Sequence, residues 1–166
     1  LSTHNKLSQC LLEYGGLVYF EGAGVLVQAA QNINVSHNTI QHFRYTGVSI
    51  GWTWTYSPTS VSDLYIGFNV INDIGMGVLS DMGCVYSLGH QPGTVVDNNI
   101  CMDVVSFNYG GWGLYTDQAS RDVTERKQTE NIRRLHSLVM AQLDEAVVIL
   151  NLNGEIIDCN VKAETM

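Results

Sequence analysis

Asp81 and Asp117 are the residues of this chain whose type and position suggest chemistry. Three glycines, Gly47, Gly77 and Gly113, each open a short β-prone run, and four residues on from them stand Gly51, Asp81 and Asp117. If the runs are equivalent strands of a repeating coil, the two carboxylates share one phase and sit one above the other, separated by about 4.8 Å, the interstrand spacing. Two acids that close cannot both ionise cheaply at neutral pH, so one pKa is expected to rise and the pair can supply an acid together with a base or nucleophile. Hydrolysis of a glycosidic bond uses such a pair, and a separation of about 5 Å suits retention of configuration. The insertion SFNYGGW before Gly113 is a feature able to shift that register.

The neighbouring sequence suits a sugar. Trp52, Trp54, Tyr56, Tyr86, Tyr109, Trp112 and Tyr115 cluster around the glycine turns and the acids, and flat aromatic faces pack against apolar sugar faces as well as in cores. Trp52, Trp54, Tyr86, Trp112 and Tyr115 are the expected substrate-binding aromatics, with His90, beside a Pro-Gly turn, at the rim. His42, Asp73 and Asp103 occupy one repeat phase and read as solvated turn positions.

These residues need a scaffold, and the sequence supplies a periodic one. HNTIQHF, FNVINDI and NNICMDV share an Asn, an apolar residue two on, His or Asp, then another apolar residue; the Asn positions are 38, 69 and 99. Short strands and Asn/Gly turns repeating at this period, with no helical stretch, read as a β-solenoid. In such a coil Val, Ile and Leu at alternating positions fill the tube, and the Asn residues cap tight turns and stack as an amide ladder. Their expected role is structural.

The stretches YTGVSIGWTW (45–54), GVLSDMGCVYSLGHQPGTV (77–95) and YGGWGLYTDQAS (109–120) resemble the right-handed parallel β-helix glycoside hydrolases of bacteria that include α-L-fucosidase and xylanase activities. The resemblance implies a pectin lyase-like fold with an active site on the helix flank, in which Asp81 of SDMG and Asp117 of YTD are the catalytic carboxylates. It also implies many coils beyond those present, so the solenoid is expected to be a fragment. Two positions depart from the family's pattern: Cys84 replaces the second glycine of DMGG, and Gln118 replaces the acid of YTDEGS.

Composition divides the chain at the end of this region. All 15 aromatics and 15 of 16 glycines precede Arg121, and up to Ser120 two basic residues face eight acidic ones, net −6; the remainder is net −2. A chain of net charge −8 with no Lys/Arg cluster outside 121–134 has no electrostatic footprint for nucleic acid or an anionic membrane. Nothing approaches the run of about 18 apolar residues that spans a bilayer. Cys10, Cys84, Cys101 and Cys159 fall in no metal-binding spacing, so they read as buried single thiols, and no metal or cofactor is expected. The first residue is not Met, and Leu1–Gln9 lacks signal-peptide architecture; the chain is expected to begin inside a longer protein.

From Arg121 the vocabulary becomes helical. DVTE offers Asp122 as an N-cap with Glu125 three residues on, and Ile132, Leu135 and Val139 recur at helical spacing, predicting an amphipathic helix able to pair with a second copy. AVVILNLNGEIIDCN (146–160) then places two apolar runs around Asn153-Gly154, a strong hairpin signal. DVTERKQ resembles the end of a PAS sensor module, and the following helix and hairpin resemble the start of another. The whole reads as mainly β: a right-handed parallel β-helix fragment over 1–120, an α-helical signalling linker over 121–143 and an incomplete α+β PAS domain over 144–166. Three functions fit: a glycoside hydrolase, a non-catalytic polysaccharide-binding β-helix, or a sensor with the β-helix as input. The expected partner is a polysaccharide or oligosaccharide, with a homodimer through 122–143. The first part suggests export and the second the cytoplasm.

Overall fold

The structure is a computed structural model that describes residues 2–126, 148–150 and 156–159. Short strands recur in a threefold rhythm. After β1 (Ser2–Thr3), the first coil comprises β2 (Lys6–Ser8), β3 (Leu11–Glu13) and β4 (Val25–Gln28). At the next corner lies β5 (Ala30–Gln31), which pairs with β1. The second coil is β6 (Asn34–Ser36), β7 (Thr39–Phe43) and β8 (Val48–Gly51); the third is β9 (Tyr65–Gly67), β10 (Val70–Ile74) and β11 (Gly83–Ser87). The fourth is β12 (His90–Asp97), β13 (Ile100–Val104) and β14 (Trp112–Thr116), after which β15 (Arg121–Arg126) opens another turn. Each strand pairs in parallel with its counterpart one coil on. Three sheets result: β2-β6-β9-β12-β15, β3-β7-β10-β13 and β4-β8-β11-β14. This is the parallel β-solenoid the repeat predicts.

The tube is filled by residues in phase. Val35, Ile66 and Val96 share one register position, as do Ile40 and Ile71, and all are buried. β-branched side chains at alternate strand positions suit this pleated wall, and each buried Val or Ile contributes about 1.5–3 kcal/mol. At the corner between the first two sheets the Asn ladder forms as expected. Asn38 Nδ2 donates to Asn69 Oδ1 at 3.0 Å and Asn69 Nδ2 to Asn99 Oδ1 at 2.9 Å. The same oxygens accept the backbone N–H groups of Asn38 and Asn69, and the Nδ2 groups also donate to the carbonyls of Leu7 and Val35. Asn38 and Asn69 are buried and Asn99 partly so, and their hydrogen-bonding capacity is used inside the wall.

Two expectations are corrected. The first concerns cysteine: Cys84 and Cys101 form a disulfide, with Cα atoms 6.1 Å apart, and are not single thiols; Cys10 is a free, half-buried cysteine. The reason lies in the tube's interior. Gly24, Gly47, Cys84 and Gly113 share one phase on the third sheet. A Cβ on Gly24 would lie 2.6 Å from Ile40 Cγ2, and one on Gly47 2.5 Å from Ile71 Cγ2. Each glycine thus makes room for an isoleucine of the following coil. At the next step Cys101 stands where Ile40 and Ile71 do, and Cys84 fills the space covalently.

The second correction concerns the helix expected from Asp122. Residues 121–126 are a strand, with Thr94 opposite Val123 and Asp97 opposite Arg126. The open edge of β12 offers a full row of backbone partners, and Val123 packs against the core; a capping-box pattern is a weak preference beside that ladder. The β-helix pairing therefore runs six residues past the expected boundary. The remainder of the linker helix, and with it the pairing surface for a second copy, lies outside the described residues. Beyond it, β16 (Val148–Leu150) and β17 (Ile156–Cys159) pair antiparallel, Val148 opposite Cys159, in keeping with the hairpin expected around Asn153-Gly154. They belong to a separate compact unit; the rest of the expected PAS segment lies outside the described residues.

Candidate active site

The third sheet carries the candidate residues, and the corners on either side of it explain why they gather there. From Ile40 to Val48 the chain takes eight residues to pass from the second sheet to the third; the in-phase steps Ile71 to Val85 and Cys101 to Leu114 take fourteen and thirteen. The extra residues of the third and fourth coils stand beside the start of β11 and β14. On the other side, the turn leaving β8 holds Trp52, Trp54 and Tyr56 before the chain re-enters the first sheet at β9. The sheet's outward positions lie between these insertions.

The register differs from the one read off the glycines. Gly47 is in phase with Cys84 and Gly113, whereas Gly77 belongs to the lengthened corner. Asp81 consequently precedes β11, in the phase of Gly110, and Asp117 follows β14, in the phase of Leu88. The two acids do not stack one above the other, so the argument for retention from the interstrand spacing falls. Insertions of unequal length between the second and third sheets cause the shift.

Two tyrosines nonetheless connect the acids. Tyr86 and Tyr115 are directly opposite on β11 and β14, and their rings stack with centroids 4.8 Å apart. Tyr86 Oη donates to Asp117 Oδ2 at 2.5 Å, and Tyr115 Oη donates to Asp81 Oδ1 at 2.6 Å. Burial is the main cause that lifts both tyrosine pKa values far above the ordinary phenol range, followed by the hydrogen bond to Asp117 for Tyr86 and to Asp81 for Tyr115. Each ring also feels the charge of both carboxylates. Both hydroxyls are therefore held as protonated donors. The carboxylates are half-buried, reachable from solvent yet fixed on one side.

Backbone contacts hold Asp81 in place. Its φ of 60° lies in the left-handed region, which costs a non-glycine residue about 1 kcal/mol or more. Tyr45 Oη donates to its carbonyl at 2.9 Å and its own N–H donates to the Tyr109 carbonyl at 3.1 Å. Gly110 permits the approach of the 105–111 insertion: a Cβ there would lie 3.0 Å from Asp81 N. Burial, then the nearby Asp81, raises the Tyr45 pKa, which keeps this phenol a donor too. Asp117 is held by the turn after it. Its N–H donates to the Ser87 carbonyl, its carbonyl accepts from Ser120 N–H, and Ser120 Oγ donates to the Ser87 carbonyl at 2.7 Å.

A row of rings extends the tyrosine pair in both directions. Trp112 lies 4.3 Å from Tyr115; Trp52 meets Tyr86 edge-on at 5.8 Å, and Trp54 meets Trp52 edge-on at 5.3 Å. Ser49 occupies the phase of Tyr86 and Tyr115, and its small side chain leaves space that Trp52 covers, with Nε1 donating to Ser49 Oγ at 2.6 Å. Tyr86 is 3% exposed and forms the floor, whereas Trp54 and Trp112, at 59% and 43%, stand open at the two ends.

Of the residues selected from sequence, Asp81, Asp117, Trp52, Trp54, Tyr86, Trp112 and Tyr115 come together. His90 does not join the row: it starts β12 in the first sheet, opposite Arg121, and its carbonyl accepts from Thr59 Oγ1. His42 and Asp73 lie on the second sheet, His42 Nδ1 2.7 Å from Asp73 Oδ2 with Tyr14 stacked on the imidazole. Sequence reasoning missed Tyr45 and Ser49. Their place in YTGVSIG was visible, but their contacts depend on corners whose lengths the repeat does not set.

No family model matches the chain, and no curated protein matches it. Among solved structures the chain is similar to a protein titled "Glycoside hydrolase", with a TM-score of 0.61 and 19% identity, over 81% of this chain and 27% of that one. The chain thus spans about a quarter of its neighbour's length, and the likeness is one of fold.

Proposed function

We propose that this β-helix is a carbohydrate-active protein that hydrolyses glycosidic bonds, with Asp81 and Asp117 as its paired carboxylates. The observation that carries the reading is the unit formed by Asp81, Tyr115, Tyr86 and Asp117, two reachable acids tied to one stacked tyrosine pair between exposed indoles. In hydrolysis one carboxyl protonates the departing glycosidic oxygen while the other activates water or attacks the anomeric carbon. The tyrosines, kept protonated, orient the half-buried carboxylates by hydrogen bonds to Asp117 Oδ2 and Asp81 Oδ1. The name of the structural neighbour agrees with this reading, and the finer assignment to α-L-fucosidase or xylanase activity rests on the motifs SDMG and YTD. The Cys84–Cys101 disulfide favours an oxidising compartment, so we place the β-helix outside the cytoplasm.

The test is release of reducing sugar from a panel of polysaccharides and from fucosyl and xylosyl aryl glycosides. Asp81→Asn and Asp117→Asn are each expected to abolish it while circular dichroism stays unchanged; turnover that survives both changes would sink the proposal. A non-catalytic polysaccharide-binding β-helix is the alternative, favoured by the exposed Gln118 beside Asp117, and binding without turnover selects it. A sensor reading is favoured by the antiparallel pair β16–β17, which fits the opening of a PAS module. Under that reading sugar binding changes protease protection of residues 127–166, and an unchanged cleavage pattern counts against it.

A further inference from the structure

Between Arg44 and Arg121 the sequence contains no Lys or Arg, and it holds six aspartates, at 63, 73, 81, 97, 103 and 117. That stretch builds β8, β11, β14 and every insertion that frames the candidate site. The cations of the solenoid belong to other elements: Lys6 to β2, Arg121 and Arg126 to β15, all three in the first sheet, Arg121 four residues after Asp117, and Arg44 lies over the Phe20 ring at 4.6 Å. A sugar chain bearing carboxylates would bring negative charge against Asp81 and Asp117 with no guanidinium or ammonium on the site's own strands to pair with it, and like charges at close range repel strongly where water is partly excluded.

The aromatic row sets the second constraint. Ser49, Tyr86 and Tyr115 occupy one phase of successive coils, so the row they anchor runs across the strands, along the solenoid axis. Its two open indoles are at opposite ends. Trp54 belongs to the insertion of the second coil, and Trp112 begins the last strand of the third sheet; the tyrosine pair that holds both acids lies between them. Indole faces placed so can each accept an apolar sugar face while uncharged hydroxyls meet the carboxylates as hydrogen-bond donors.

Resting on the carbohydrate reading above, we infer that the site takes an uncharged glycan, excludes uronate polymers, and binds sugar residues on both sides of the acids, with Trp54 and Trp112 as the two platforms. Exposed indoles at both ends favour a chain that passes across the site over one that ends in it.

Affinity electrophoresis of the full chain tests this, with soluble polysaccharides cast in the gel: xylan, glucomannan, arabinogalactan and β-glucan as neutral polymers, polygalacturonate and alginate as uronates, with and without calcium ions. Retardation is expected in at least one neutral gel and in neither uronate gel. Trp54→Ala and Trp112→Ala are each expected to weaken the neutral interaction roughly tenfold, the loss typical of a truncated aromatic anchor. Neither indole lies in the core, so the thermal midpoint of each variant should stay close to the parent's, and its measurement tells a folding defect apart from lost binding. Uronate retardation equal to or above the neutral value, or unchanged binding in either tryptophan variant, would overturn the inference, as would retardation in no gel. A neutral polymer bound but never cleaved leaves this inference standing and removes hydrolysis alone; uronate cleaved in preference to neutral polymer does the reverse.

Discussion

Two stacks of polar side chains run up the same solenoid and behave in opposite ways. At the corner between the first and second sheets the chain always takes five residues from one interior position to the next, Leu7 to Leu12, Val35 to Ile40, Ile66 to Ile71 and Val96 to Cys101. There the asparagines fall in phase, point into the wall and satisfy one another. Between the second and third sheets the corresponding step varies from eight to fourteen residues, and the two acids flank the third sheet at opposite ends, Asp81 before β11 and Asp117 after β14, out of phase, half-exposed and bound by phenols. Constant coil length makes a polar stack structural, because each amide has an identical neighbour at hydrogen-bond distance. Variable length removes the identical neighbour, and the acids are held by phenols instead and stay partly open to solvent.

The comparison is broken most directly by exchanging which stack carries function. Asp117→Asn and Asp81→Asn are each expected to lower turnover by about 10²–10⁴, the range for a lost acid or base, with little change in urea stability. Asn69→Ala should do the converse. It removes the acceptor of Asn38 N–H and Nδ2 and the amide donor to the Val35 carbonyl and Asn99 Oδ1, a loss of about 3 kcal/mol in urea unfolding given 1–3 kcal/mol for each orphaned buried group. Sugar release per folded molecule should persist. An Asn69 variant as stable as the parent, or an Asp variant that unfolds instead of losing turnover, would erase the distinction between the two stacks.

The same difference determines what was legible beforehand. The Asn positions 38, 69 and 99 reveal the repeat because their corner admits no insertion. The acids gather with Tyr86, Tyr115 and the tryptophans as their motifs suggest, yet their phase differs from the one the glycines imply, since Gly77 lies in a lengthened corner while the partner of Gly47 and Gly113 is Cys84. That identity also hid the disulfide. Cys84 and Cys101 lie on different sheets of successive coils, 17 residues apart, a relation visible only once the isoleucines facing Gly24 and Gly47 are known. At 121–126 a local helix signature yielded to the edge of β12, a tertiary partner absent from any local pattern.

The disulfide gives a third way to sharpen the comparison, since it occupies a position solved elsewhere by packing. Replacing both cysteines by alanine removes the cross-link and leaves a void, and about 3 kcal/mol of stability should go with it. Cys84→Gly combined with Cys101→Ile reinstates the pairing seen at Gly24 with Ile40 and Gly47 with Ile71, and should recover part of the loss under reducing conditions. Urea midpoints of the two double variants, compared in dithiothreitol, decide it. Equal midpoints would mean that the glycine–isoleucine pattern carries no packing energy at this coil.

The smallest effect expected is also the most specific to the site. Tyr86 and Tyr115 ionise far above the ordinary phenol pKa of 10.0 in the folded protein, chiefly through burial and then through Asp117 and Asp81. Below pH 10 both folded and unfolded chains hold these protons, so the contribution to stability is constant there. Above it the unfolded chain releases them first, fewer protons are bound unfolded than folded, and stability must fall as pH rises. Unfolding free energy is therefore expected to decline from about pH 10 upward, and Tyr86→Phe or Tyr115→Phe to flatten that decline while leaving the shape of the profile below it unchanged. Absorbance of tyrosinate during alkaline titration supplies the direct readout: Tyr86 and Tyr115 should ionise only as the fold is lost, so part of the signal of the eight tyrosines should appear with unfolding. Titration of all eight in one transition near pH 10 would mean that the carboxylates do not hold the phenols, and the unit that joins Asp81 to Asp117 would come apart with it.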